Sequence, residues 1–247
     1  MKSGTGSMMK RPMNNKDLNF MAHFSELNKR VVLSFVSLGI ALIPSWFLHD
    51  YFVNILLHPL QQIGFGQESL VVHQITEPLQ VKMLVVLFLS FYISLPIFVY
   101  NIAAFLIPAA GKKFKVASWF LTIVSLIFFY GGAYLGYKNI YLGLDFLISF
   151  TDLTIGIRSH YYFQFIFRFF LFIGIFFQFP VIITILILNK IIKIKYLRSK
   201  RREIFLIILI ASAIITPTGD PLSLAIFTLP VYVIYELLLL ILKNKFD

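Results

Sequence analysis

The groups able to do chemistry in this 247-residue chain are 11 carboxylates, five histidines and assorted amides and hydroxyls, with no cysteine among them. Disulfides, cysteine-ligated zinc and thiol nucleophiles are therefore excluded. His23, His49, His58, His73 and His160 have no metal-ligand spacing, so no metal and no other cofactor is expected. The chain carries neither a G-x-x-x-x-G-K-[ST] phosphate loop nor an H-E-x-x-H motif, and no nucleophile–base pairing is discernible, so it reads as non-enzymatic. What remains are polar groups suited to recognition. Glu26 stands three and four residues before Lys29 and Arg30. There it can form an ion pair on a helix surface, or offer its carboxylate to a guanidinium on a partner. Gln178 and Glu236 sit deep in apolar runs, where each needs a partner inside the protein, and the carboxylate alternatively a proton. Asp220, between Gly219 and Pro221, has the company of a turn residue.

The elements that must position these groups are membrane helices. The chain is 59% hydrophobic and 13% charged, with mean hydropathy +0.84, far more apolar than a water-soluble domain. The pattern predicts an all-α polytopic membrane protein of one domain, 1–247, with six spans at about 31–53, 79–105, 116–137, 161–188, 204–215 and 222–242. Residues 1–20 form a polar, basic tail without the apolar core of a secretory signal, and are expected to be flexible. Pro44 should kink the first span, Pro96 lies inside the second, and a loop containing His58 and Pro59 is expected from Asn54 to Glu77. Lys82 and Arg168 lie within spans and can snorkel. The fifth span reaches only about 18 Å as a helix, short of a hydrocarbon layer of about 30 Å. Gly132 and Gly136 offer a small-xxx-small packing pair, and the Phe-rich stretch from Phe163 to Phe179 is expected to face lipid.

The net charge of +11 does not imply nucleic acid, because the basic residues flank apolar spans. With the N-terminus inside, 18 of the 22 Lys and Arg residues fall on inner segments and only Lys138 and Arg158 on outer ones. That bias puts both termini on the cytoplasmic or matrix side.

Four local patterns, in order, are spread along the chain, and the likeness they carry extends from about Met21 to Leu242. They are Met21-Ala22-His23-Phe24-Ser25-Glu26-Leu27-Asn28-Lys29-Arg30; Leu95-Pro96 with Tyr100 to Pro108; Phe176-Phe177-Gln178-Phe179-Pro180; and Thr216-Pro217-Thr218-Gly219-Asp220 leading to Leu229-Pro230 and Tyr235-Glu236. Together they resemble the TatC family, the core subunits of the twin-arginine protein translocase. The resemblance implies six helices in a concave, glove-like arrangement. It also implies a core translocase subunit that moves folded proteins across an energised membrane, driven by the proton gradient. His23, Glu26, Leu27, Arg30, Phe105 and Pro108 would bind the cargo's targeting segment. Pro59, Gln178, Thr216, Pro217, Asp220 and Glu236 would serve partner docking or transport coupling. The implied partners are single-span TatA- and TatB-type subunits, a folded precursor protein, membrane lipid and further subunits of an oligomer.

Two positions depart from the family pattern. Phe114 stands where a second signal-binding acid is usual, within the basic run Gly111-Lys112-Lys113-Phe114-Lys115, which would repel a twin-arginine pair. Gln178 replaces a frequent glutamate. The first departure points to a divergent translocase whose cargo carries a different signal. Lys outnumbers Arg 15 to 7, and Phe, Ile, Asn and Tyr are abundant, which suggests an A+T-rich coding genome. That composition favours the mitochondrial inner membrane, with a bacterial inner membrane or a thylakoid membrane as alternatives. Two readings from other classes stay open: a small-solute or ion transporter, which would need charges converging at mid-membrane, and a structural subunit of a larger membrane complex.

Overall fold

A computed structural model describes residues 15–66, 69–106, 112–150, 156–218 and 220–246, with side chains described at 25–66, 69–105, 118–150, 156–218 and 220–241. Pro108 and most of the expected basic tail lie outside the described residues. So does the side chain of His23. The chain runs α1 (Asn15–Gln62), β1 (Leu70–Val71), α2 (Glu77–Leu106), α3 (Lys112–Ile148), β2 (Ile157–Arg158), α4 (Ser159–Phe176), α5 (Phe179–Leu188), α6 (Ile194–Ser199), α7 (Arg201–Ile215) and α8 (Pro221–Phe246). Among the described residues five stretches are long and apolar enough to cross a membrane: Ser25–Gln62, Glu77–Phe105, Ser118–Ile148, Ser159–Leu188 and Pro221–Ile241. The expected short span falls on α7, whose 15 residues reach about 22 Å. On the outside of the bundle Phe47 and Ile214 are each 80% exposed, as residues solvated by lipid can be.

The first correction concerns α1. The segment from Asn54 to Gln62, expected to be loop, is helix, and Pro59 lies inside it. Leu56, Leu57 and Leu60 from this segment are buried in the core, which holds the last turns in place. A proline inside a helix leaves the carbonyl four residues earlier without its helical donor, and in an apolar setting that acceptor needs another. Ile55 is that residue for Pro59, and its oxygen accepts from the Tyr137 hydroxyl at 3.1 Å. The adjacent Leu56 oxygen accepts from Tyr162 at 2.6 Å. The same device recurs in α2, where Pro96 strands the carbonyl of Tyr92 and the Tyr130 hydroxyl donates to it at 2.6 Å.

The third helix also outruns its expected end at Tyr137. Ile140 and Leu144 continue its buried face to Ile148, while Lys138 lies over the Tyr134 ring at 5.9 Å. The fourth span breaks at Phe177 and Gln178 into α4 and α5, with Pro180 in the first turn of α5. The Phe-rich stretch is the second correction. Phe163, Phe167, Phe169, Phe170, Phe176 and Phe177 are buried, and Phe172 is the ring that stays half-exposed. The reason is position: α4 packs against α2, α3 and α7, so its rings face protein on several sides. Phe88 and Phe167 stack at 3.9 Å between centroids. Gly132 and Gly136 permit the close approach, since a Cβ at either would come within 2.6 Å of Phe177 or 2.9 Å of Ile173.

The end of α5 closes with a Schellman turn. Ile191 N–H donates to Leu186 O at 2.9 Å and Lys190 N–H to Ile187 O at 2.9 Å. Lys190 takes the left-handed position with φ of 58°, where glycine is usual and an L side chain costs roughly 1 kcal/mol.

Candidate functional site: a groove at the basic end of the bundle

One end of the bundle gathers the beginning of α1, the end of α2, the end of α5, α6 and the beginning of α7, and carries most of the basic residues. There Arg30 lies against Glu26, with Nη2 at 2.6 Å and Nε at 3.1 Å from Oε1. The pair follows from the i, i+4 spacing on one helix face; it is an exposed contact of modest strength, about 0.3–0.5 kcal/mol. Across from it, Asn101 of α2 donates through Nδ2 to Ser34 Oγ at 2.9 Å and to the Arg30 carbonyl at 3.3 Å. Asn101 is buried, so this amide pins the two helices where apolar contacts alone would allow sliding. Between them opens a groove of about 250 Å³ lined by Leu27, Arg30, Ser34, Phe35, Phe98 and Phe105, among others. Three residues expected to bind a targeting segment, Leu27, Arg30 and Phe105, thus meet on one surface, and Glu26 stands at its edge through Arg30.

Phe98 and Ile102 form the common wall between this groove and a second cavity of about 380 Å³. Its lining is apolar, including Phe91, Leu95, Phe129 and Val181, apart from Ser125 and Gln178. Gln178 sits at the break between α4 and α5, where the backbone turns its amide towards α3. Its Oε1 accepts from the Ser125 hydroxyl, and its Nε2 donates to the Ser125 carbonyl at 3.0 Å. A mid-membrane amide is thereby satisfied on both its atoms by one residue. Gln178 thus joins the α4–α5 break to α3.

The remaining expected residues do not join this surface. Glu236 is bound at the basic end, 3.0 Å from Arg201 Nη2 and accepting from the Tyr232 hydroxyl at 3.0 Å, so it ties α8 to the start of α7. Pro59, Thr216, Pro217 and Asp220 lie at the far end. The Thr216 hydroxyl donates to Ser212 O at 3.0 Å, and Pro217 packs where a Cβ on Gly143 would come within 2.6 Å. Asp220 caps α8, accepting the Ser223 N–H at 2.8 Å. That bond, with help from the Thr218 hydroxyl, holds its carboxyl down at about 2.

Sequence reasoning missed a cluster at the same far end. Glu77 is 1% exposed, and its carboxylate accepts from His73 N–H at 2.9 Å and His160 N–H at 3.1 Å, with Arg158 Nε 3.4 Å away. It thereby joins the two connecting segments that pair as parallel strands, Leu70 opposite Ile157 and Val71 opposite Arg158. The available signal was an acid in the first turn of an apolar helix, where backbone donors are unsatisfied. Asn101, Ser125 and the tyrosines at the prolines carry no local signature.

Comparison with known proteins places this architecture. Residues 22–230 match the family described as Sec-independent protein translocase protein (TatC). The TatC protein of Carboxydothermus hydrogenoformans is 26% identical over 240 residues, covering 94% of this chain and 95% of that protein. The TatC protein of Halalkalibacterium halodurans is 28% identical over 233 residues, covering 91% and 88%. A tatC-like protein of Gracilaria tenuistipitata is 29% identical over 239 residues, covering 95% and 98%. The crystal structure of the twin arginine translocase receptor TatC in DDM superposes with a TM-score of 0.70 at 26% identity, over 89% of this chain and 98% of that one.

Proposed function

The chain belongs to the TatC family, as an integral membrane core subunit of a Sec-independent protein translocase, and on that premise we propose that the groove between α1 and α2 receives the targeting segment of a folded cargo. The observation that carries this is the convergence of Leu27, Arg30 and Phe105 on one surface stiffened by Asn101. Its lining favours an apolar stretch of the targeting segment. Glu26 is already engaged by Arg30, and the start of α3 carries Lys112, Lys113, Phe114 and Lys115 without an acid. A cargo guanidinium must compete with Arg30 and approach the basic start of α3, so paired arginines are a poor ligand and an uncharged or acidic leader a better one. The protein acts by binding, without an enzymatic step. Cargo movement draws on the proton gradient, and single-span TatA- and TatB-type subunits dock along the outer faces and the cavity at Gln178.

The test is a photo-crosslinking side chain at Phe105 in energised membranes, with captured peptides read by mass spectrometry. Recovery of the N-terminal region of a folded precursor is the expected result. Recovery of nothing but constitutive membrane subunits would refute the cargo groove and favour a structural role.

A further inference from the structure

Beyond cargo binding, we propose that the end of α5 and the segment that follows form a binding site for one anionic phospholipid. An open groove of about 480 Å³ is lined by Ile182, Ile185, Leu186, Asn189 and Ile191. Ile182 is 50% and Ile191 68% exposed, a surface that an acyl chain would cover. The Schellman turn builds the groove's rim. It brings Ile191 back towards Leu186 and leaves Lys190 between two lining residues, in the left-handed conformation. Glycine fits that position without strain, so the lysine stands there at a cost to the backbone, and its ammonium is the feature that glycine lacks.

The neighbouring charges match an anionic headgroup. Of the basic residues from Lys190 to Arg202, Lys200 pairs with Glu203 at 2.7 Å and Arg201 with Glu236 at 3.0 Å. Among the described residues, Lys190, Lys193, Lys195, Arg198 and Arg202 form no ion pair. Arg198 Nε is buried without a hydrogen-bond partner. Orienting the chain in the membrane needs positive charge on this side, but it needs neither a groove nor a lysine in a glycine position. Anionic lipid supplies both complements at once: a chain for the isoleucine wall and a phosphate for Lys190 and Lys193. A zwitterionic lipid brings its own cation and leaves these ammonium groups uncompensated.

The experiment uses the full chain in neutral detergent, with thermal unfolding and native mass spectrometry as readouts. Dioleoyl phosphatidylglycerol, dioleoyl phosphatidylcholine and glycerol phosphate are added separately. The anionic lipid should raise the unfolding temperature and be retained as a single bound molecule, while the other two have little effect. K190G removes the ammonium and relieves the backbone strain, so K190G and K190G/K193Q should fold normally in phosphatidylcholine and lose at least half of the phosphatidylglycerol shift. K112Q/K113Q, in the basic segment that opens α3, should keep it. The proposal is overturned by an equal shift with phosphatidylcholine or with glycerol phosphate, by a full shift in K190G/K193Q, or by an equal loss in K112Q/K113Q, which would mean diffuse attraction to basic segments.

Discussion

The hydroxyl of Tyr137 donates to the carbonyl oxygen of Ile55, the acceptor that Pro59 deprives of its helical partner. A residue in the third helix thus completes the first, 82 positions away in sequence. The bond accounts for a helix that continues through a proline without a protein-internal gap. Tyr137→Phe removes the donor and leaves the carbonyl buried and unpaired, at a cost of about 1–3 kcal/mol. Reversible unfolding in detergent should show that loss in the native background and much less of it in Pro59→Ala, whose restored backbone N–H bonds Ile55. Additive effects in the double-mutant cycle would refute the coupling.

Glu77 binds two backbone N–H groups and one guanidinium, and the distances rank them: His73 at 2.9 Å, His160 at 3.1 Å and Arg158 at 3.4 Å. Glu77→Ala should therefore expose the paired strands to protease more than Arg158→Ala does, with Glu77→Gln between them because its amide oxygen still accepts. Limited proteolysis of the segments around Val71 and Ile157 measures the order. Greater sensitivity in Arg158→Ala than in Glu77→Ala would contradict it.

Asp220 has a folded pKa of about 2 against an ordinary 3.8, so the folded state favours its charged form. Stability from this group is complete above about pH 4 and is lost as pH falls towards 2. Because the carboxylate faces solvent, the effect is screened to about 1 kcal/mol. Asp220→Asn keeps a capping oxygen but cannot titrate. Its unfolding midpoint should fall less steeply than the native one between pH 4 and 2, and parallel pH curves would refute the assignment.

If Phe114 occupies the place of the family's second signal-binding acid, as the resemblance implies, restoring an acid there should create a partner for a twin-arginine pair. Phe114→Glu should raise the affinity for a twin-arginine peptide several-fold, roughly the 1 kcal/mol scale of a solvent-exposed charge pair, and Glu26→Ala should cancel part of that gain. Peptide titration by fluorescence anisotropy reads both changes. No gain from Phe114→Glu would mean that something other than the missing acid sets the preference.

Gln178 can be separated from its packing role through Ser125. Gln178→Leu leaves the Ser125 hydroxyl without its acceptor across the interface, whereas adding Ser125→Ala removes that hydroxyl and should recover part of the stability. If single-span partners dock at this cavity, co-purification of a TatA- or TatB-type subunit should stay impaired in the double variant. Recovery of co-purification together with stability would reduce Gln178 to a packing residue.

Apolar runs, basic flanks and the order of short motifs determined a great deal by themselves: an all-helical membrane bundle, its family, and the residues Glu26, Leu27, Arg30 and Phe105 that gather at one end. These features are local, written in stretches of a few residues whose physical meaning does not depend on the rest of the chain. Where helices end was not local. Pro59 reads as a loop residue until Tyr137 and Tyr162, brought over from α3 and α4, satisfy the carbonyls beside it. The fate of the phenylalanines was likewise undecided, because lipid and protein interior are equally apolar and composition cannot tell them apart; only the central place of α4 put those rings inside. Buried polar pairs such as Gln178 with Ser125 and Glu77 with the backbone at His73 and His160 depend on which groups arrive opposite one another. Only the packed structure decides that, since in hydrocarbon a polar group must find its partner within the protein.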